Sequence, residues 1–375
     1  MRYGIAVGLW MVALGACQVA TLPQVVDGGE ERSASELSQL FDRGALTVMT
    51  RSLSGEGHLE RVLEAPRAEE PARAAELLGA LHPEDVRARA RRLADEIQYA
   101  RPHLIGLQQV MQVRLQSPGD ALFGGTRPAE AMHLDVLPVL MGELEARGLH
   151  YREVARVRNA DVELPLLTSD APAFDDVRLT DFDVILARAD VEVKETRTGN
   201  YVAHRKVPRP GQEPVALPRG WASVAAKVEG RTYRFVSTHL EPAPDEHGLR
   251  VQVAQAGELI RALHGEPLPV VLVGDFNTPA NLGLLGAPTY RELLLAGYVD
   301  VWTHRQGGTQ PMGVDQALEM PALAERLNLV LVRKPVTPGL RRVGPVLAYI
   351  VGGSLEERFG PWKPDVAGVV ARLRM

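Results

Sequence analysis

Asp275 and Asn277 stand one residue apart in Val273-Gly274-Asp275-Phe276-Asn277-Thr278-Pro279. On alternate positions a carboxylate and a carboxamide can be aimed the same way. The carboxylate could steer a nucleophile, and the amide N–H could donate to an oxyanion as its charge develops. The same residues also read as a strand ending in an Asx-type turn closed by Pro279, with no chemistry at all. A second candidate is His239, which ends the run Arg234-Phe235-Val236-Ser237-Thr238-His239. Taken alone, an imidazole at a strand end more often fills a polar rim than does chemistry.

Strands must hold both groups. Val270-Val271-Leu272-Val273 is fully apolar and reads as a strand buried on both faces. Leu46 to Leu53 reads as the first strand of a domain, and His103 to Val110 as another. Between them, Leu59 to Leu81 is rich in Ala, Glu, Arg and Leu and reads as helix interrupted at Pro66 and Pro71. A helix from about Glu84 to Arg101 carries Val86, Ala90, Leu93 and Ile97 on one stripe and stops at Pro102. Residues 114–131 read as a Gly/Pro-rich loop, followed by a helix ending at Gly148. Pro208, Pro210, Pro214 and Pro218 mark a connection expected to overhang one end of the domain. Val253, Ala256, Ile260 and Leu263 give one further helix.

The chain of 375 residues is 45% hydrophobic with a formal charge of −5. No basic block tracks a phosphate backbone, so nucleic acid is not the expected partner. Arg2 followed by an apolar run to Ala16 is too short to span a bilayer but suits a signal-peptide core. Cys17 is the single cysteine, so an exported domain would lack disulfides and rely on its core. The expected division is a signal peptide over 1–16, a polar tether over 17–43 and one domain over 44–375.

Several of these stretches resemble one family. Leu104-Ile105-Gly106-Leu107-Gln108-Gln109-Val110, Ser237-Thr238-His239-Leu240, Gly274-Asp275-Phe276-Asn277, Gly297-Tyr298-Val299-Asp300, Glu325-Arg326-Leu327-Asn328 and Trp362-Lys363-Pro364-Asp365-Val366-Ala367-Gly368 occur in the order of motifs in the endonuclease/exonuclease/phosphatase superfamily. The resemblance implies a four-layered αββα sandwich and metal-dependent phosphoester hydrolysis. It implies that His239, Asp275, Asn277 and Asp365 occupy retained catalytic positions. Leu14-Gly15-Ala16-Cys17 resembles a bacterial lipoprotein box, which implies lipidation at Cys17. With Gln18 next, that box resembles those of lipoproteins sent to the outer membrane of Gram-negative bacteria.

The departures fall on the metal and on the acid–base pair. Where the family has Asn, Glu, Asp and His, this chain has Ser52, Gln109, Asn328 and Val366. His103 replaces the Asp that usually follows the proline, and Phe182 an Arg of the lipoprotein branch. Of four carboxylates the resemblance expects, Asp275 and Asp365 remain, so Gln109 and Asp365 would hold Mg²⁺ or Mn²⁺ weakly or not at all. The leading expectation is a degenerate, monomeric, membrane-tethered binding module for a small or lipid-borne phosphodiester. The competing one is a working phosphoesterase of altered metal preference that uses His239, Asp275, Asn277 and Asp365, with His58, His103 or His239 as softer metal ligands, although no His-x-x-x-His spacing supports it.

Overall fold

The computed structural model describes residues 45–53, 58–168, 174–280, 283–304, 326–334, 344–351 and 368–374. Cys17, Asp365, Val366 and the stretch 305–325 lie outside them. The described strands are β1 (Leu46–Ser52), β2 (Leu104–Gln116), β3 (Ala131–Asp135), β4 (Tyr151–Leu167), β5 (Phe174–Arg188), β6 (Glu192–Asn200), β7 (Arg205–Arg209), β8 (Gln212–Leu217), β9 (Gly220–Val228), β10 (Arg231–His239), β11 (Val270–Asp275), β12 (Val299–Asp300), β13 (Asn328–Arg333), β14 (Gly344–Val351) and β15 (Gly368–Arg374). The helices are α1 (His58–Leu63), α2 (Glu70–Ala80), α3 (Pro83–Ala100), α4 (Val136–Glu145), α5 (Glu246–Ala262) and α6 (Pro288–Leu295).

Two mixed sheets result. One runs β14-β15-β1-β2-β5-β4 with β3 on the far part of β2, and the other β12-β13-β11-β10-β9-β6. Their facing sides share a core of Val48, Leu104, Ile185 and Ala371 against Val224, Phe235, Val271, Val273 and Val330. The alternation of each strand sends its other residues outward. Ile105, Leu107 and Val184 pack with Leu93 and Ile97 of α3 and Leu140 of α4. Val236, Leu272 and Leu331 pack with Ala256 and Leu259 of α5 and Leu293 of α6. This is the expected αββα sandwich.

A fourth apolar cluster lies on the prolonged strands of the first sheet. There α1, α2 and the β7–β8 hairpin pack on the prolonged β4 and β5 through Val62, Leu77, Val207, Leu217, Val162 and Val177. Arg205 reaches Glu60 and Glu64 at 3.5 and 3.4 Å, and Arg209 pairs with the buried Glu70. The proline-dotted connection is thus a hairpin stapled to two helices.

Three local expectations need correction. Pro71 does not interrupt a helix but sits in the first turn of α2, where its missing N–H costs nothing. Residues 114–116 continue β2, paired with Asp176–Arg178, instead of opening a loop. On α5 the buried line is Val251, Gln252, Gln255, Ala256 and Leu259, so two of its inward groups are amides.

Two glycines set how closely the strands approach. A Cβ on Gly106 would lie 2.6 Å from Val273 Cγ2 and 2.7 Å from Ser237 Oγ, across the gap between sheets. Gly274 has φ of 153°, and a Cβ there would sit 1.9 Å from the Thr238 carbonyl oxygen. Only glycine lets β11 run this close to β10.

Candidate functional site

β10 and β11 are parallel, with His239 opposite Asp275, and β13 pairs Asn328 with Asp275. β1 and β2 are parallel too, with Ser52 opposite Gln108. The C-terminal ends of β1, β10 and β11, the start of β13 and the middle of β2 meet here. Thr50 Oγ1 donates to Gln108 Oε1 at 3.1 Å, and Gln108 Nε2 donates to Ser237 Oγ at 2.9 Å. This chain is wholly buried and ties the two sheets together.

Gln109 is the extra residue of a bulge. The β2–β5 register slips between Leu107 and Val110, and Gln109 has φ of 57°. The bulge re-aims its side chain, and Ser52 Oγ donates to Gln109 Oε1 at 3.0 Å. Its backbone N–H faces Asp183 Oδ1 at 3.4 Å.

His239 is fully buried. Arg219 Nη1 lies 2.9 Å from its Nδ1 and 3.3 Å from its Nε2, and Asn277 Nδ2 lies 3.3 Å from Nε2. A guanidinium carries only donors, so an imidazole nitrogen bonded to it accepts. Arg219 Nε is 3.6 Å from Glu241 Oε2, and Asp183 Oδ1 is 4.0 Å from His239 Nδ1. Burial, and then the neighbouring Asp181, push the Asp183 carboxyl well above the usual carboxylate range. Among the described residues, Asp183 Oδ2 finds no hydrogen-bond partner.

Asp275 and Asn277 fulfil the turn reading. Asp275 Oδ1 accepts from Asn277 N at 3.1 Å, and Asn277 adopts φ of 49°. Asn277 Nδ2 also donates to Leu240 O at 2.9 Å. Gln252 Nε2 of α5 ties both loops, donating to Glu241 O at 2.7 Å and Asn277 O at 2.8 Å. Asn328 is buried, and its Oδ1 finds no hydrogen-bond partner among the described residues.

Ser52, Gln109, His239, Asp275, Asn277 and Asn328 are therefore brought together. His103 is not. It precedes β2, about 20 Å from Gln109 at ~3.3 Å per strand residue, with Nδ1 accepting from Thr47 N at 3.0 Å. Burial, reinforced by Arg188, lowers its pKa to about 4. His103 does not join His239 in the expected soft set, because it lies before the start of β2 and Gln109 lies six residues further on; the His58 side chain lies outside the described ones. Phe182 faces α3 and α4 and packs in their apolar cluster, with the Arg156 guanidinium 4.8 Å above its ring.

Asp183, Arg219 and Glu241 went unread as site residues. A charged residue in a strand reads as a solvent face until a second sheet covers it. The available signals were Asp183 directly before the apolar Val184-Ile185-Leu186-Ala187, and Glu241 directly after Thr238-His239-Leu240.

Asp365, one of the two expected metal ligands, lies outside the described residues. Among them no three of His, Cys, Asp and Glu converge as ligands. At the position of the expected Glu, an uncharged amide oxygen is already taken by Ser52. A hard dication needs anionic oxygens to offset the loss of its waters.

The family model for the endonuclease/exonuclease/phosphatase family matches residues 77–354. The chain belongs to that family, whose members generally use a divalent metal. Solved structures with a similar fold include an endonuclease/exonuclease/phosphatase from Beutenbergia cavernae, 19% identical with TM-score 0.49 over 89% of this chain and 72% of that one. Others are a family protein from Leptotrichia buccalis, 13% identical with TM-score 0.48 over 88% and 100%, and a mannosyl-6-phosphatase from Bacteroides thetaiotaomicron, 16% identical with TM-score 0.44 over 88% and 99%. No curated protein sequence matches the chain.

Proposed function

We propose that this chain is an exported, lipid-anchored member of its family that has lost metal-dependent hydrolysis and serves as a binding module. The observation that carries this reading is the 3.0 Å hydrogen bond from Ser52 Oγ to Gln109 Oε1. Two neutral side chains satisfy each other where the resemblance expects a metal-holding Glu and Asn. Asn328 Oδ1, with no hydrogen-bond partner among the described residues, supports it. The resemblance expects an Asp there, facing an imidazole, and the sequence has valine at 366. An empty cluster of carboxylates repels itself, so neutral isosteres suit a site that no longer takes metal.

The ligand of this reading is a small or lipid-borne phosphodiester, met at the cell envelope. The lipoprotein box at Leu14-Gly15-Ala16-Cys17 supports the location, and the absence of a basic track argues against nucleic acid. Calorimetric titration of the full chain with Mg²⁺ and Mn²⁺ tests the metal half of the reading. No binding in the micromolar range is expected, and micromolar binding would overturn it.

A further inference from the structure

Arg250 is exposed on the opposite side of α5 from Gln252, which holds the site loops, while Val251 is buried one turn before Gln255. With Ala254 they border an open cavity of about 450 Å³ that is lined also by Val202, Ala203, His204, Lys206 and His247. The apolar members form one part of its wall. Val202 is 84% exposed, so that surface is open to a ligand.

The polar members are two cations and two imidazoles, with no carboxylate among them. The acids nearby are engaged by the protein itself. Glu258 accepts from Val202 N at 2.8 Å and Ala203 N at 2.9 Å. Asp245 caps α5 through Gly248 N at 2.7 Å, and Glu246 holds one Arg250 nitrogen at 2.6 Å. That contact uses Nη1 and leaves the rest of the guanidinium fork available. His204 donates from Nδ1 to Val202 O at 2.8 Å, which turns its Nε2 edge away from that carbonyl. The adjacent Arg205 is drawn off to Glu60 and Glu64 and does not add to the cavity.

Cavities of this volume with an apolar wall and a few convergent polar groups take small organic ligands. A guanidinium and an ammonium in one lining suit a multiply charged oxyanion, and the apolar members suit a hydrocarbon body. We propose that this cavity is a second binding site, distinct from the candidate active site, for a phosphate monoester carried on an apolar chain. The proposal does not depend on whether the active site hydrolyses anything.

The test uses the full chain carrying Cys17→Ser in every arm, so that no anchor contributes to binding. Butyl phosphate and inorganic phosphate are titrated by calorimetry, and vesicles of phosphatidylcholine with and without phosphatidic acid are tested by sedimentation. Butyl phosphate is expected to bind more tightly than inorganic phosphate. Lys206→Ala and Arg250→Ala should each weaken it by at least about tenfold, the loss of one charge-assisted contact. Arg250→Lys should restore part of the affinity, and Asp275→Asn at the other site should leave it unchanged. Binding only to phosphatidic acid vesicles, lost in the same variants, also supports the site and makes its ligand a membrane lipid. Lys206 and Arg250 are exposed, so unchanged melting temperatures will show that the variants are folded. Absence of binding in every arm, or binding indifferent to Lys206 and Arg250, would overturn the proposal. Binding abolished by Asp275→Asn alone would return the phosphate to the active site.

Discussion

Ionisation of Asp183 is unfavourable, because burial and Asp181 both oppose its charge. Its folded pKa lies above the unfolded value, so the stability from this group is complete below the unfolded pKa. It is lost as the pH rises toward the folded pKa. Asp183→Asn mimics the protonated acid and removes that loss. In urea unfolding the variant should match wild type near pH 3.5. Above that, its advantage should grow by about 1.4 kcal/mol per pH unit until the folded pKa is passed. A variant less stable than wild type at pH 8 would mean that Asp183 is ionised and held by Arg219. In the sequence only its place directly before an apolar run marks this group. Asp181-x-Asp183 alternates as a solvent-facing strand does, and its burial comes from residues of β9 and β10 far along the chain. Asn277 was legible in a different way. Its spacing from Asp275 allowed either a turn or a paired donor, and the structure builds the turn while aiming the side-chain amide at His239 and Leu240.

The elements place these groups through tight contacts that a single methyl can test. Gly274→Ala puts a Cβ against the Thr238 carbonyl at a φ that alanine avoids. The variant should lose at least about 3 kcal/mol of stability or fail to accumulate. Gly79 gives the contrast. It lies in α2 with no atom within 4 Å of a built Cβ, so Gly79→Ala should stabilise by about 0.5–1 kcal/mol. Equal effects at the two positions, read by thermal melts, would contradict the close approach of β10 and β11. Strands and helices were legible where periodicity was strong, as in α3, whose Val86, Ala90, Leu93 and Ile97 are all buried. The far half of β2 was not, because Gln112, Arg114 and Gln116 give it a polar face beside a Gly/Pro-rich stretch.

At the scale of the molecule, a sandwich built for phosphoester hydrolysis is proposed to be held at a membrane without its metal. The anchor is tested by Cys17→Ser, which should move the chain from the membrane to the soluble fraction. Acylation contributes about 0.8 kcal/mol per buried methylene, so unchanged partitioning would rule out lipidation there. The fold was legible because its motifs lie in order along the chain. The state of the site was only partly legible, since the replacements are visible in sequence but the Ser52–Gln109 bond that joins two of them is not. The most direct measurement is turnover of a generic phosphodiester with Mg²⁺ or Mn²⁺, by wild type and by the fourfold variant Ser52→Asn, Gln109→Glu, Asn328→Asp and Val366→His. Wild type should show no metal-dependent hydrolysis above background, single variants almost none, and the fourfold variant measurable turnover, because metal and imidazole act in one transition state. Wild-type hydrolysis that needs metal and is abolished by Asp275→Ala would contradict the account.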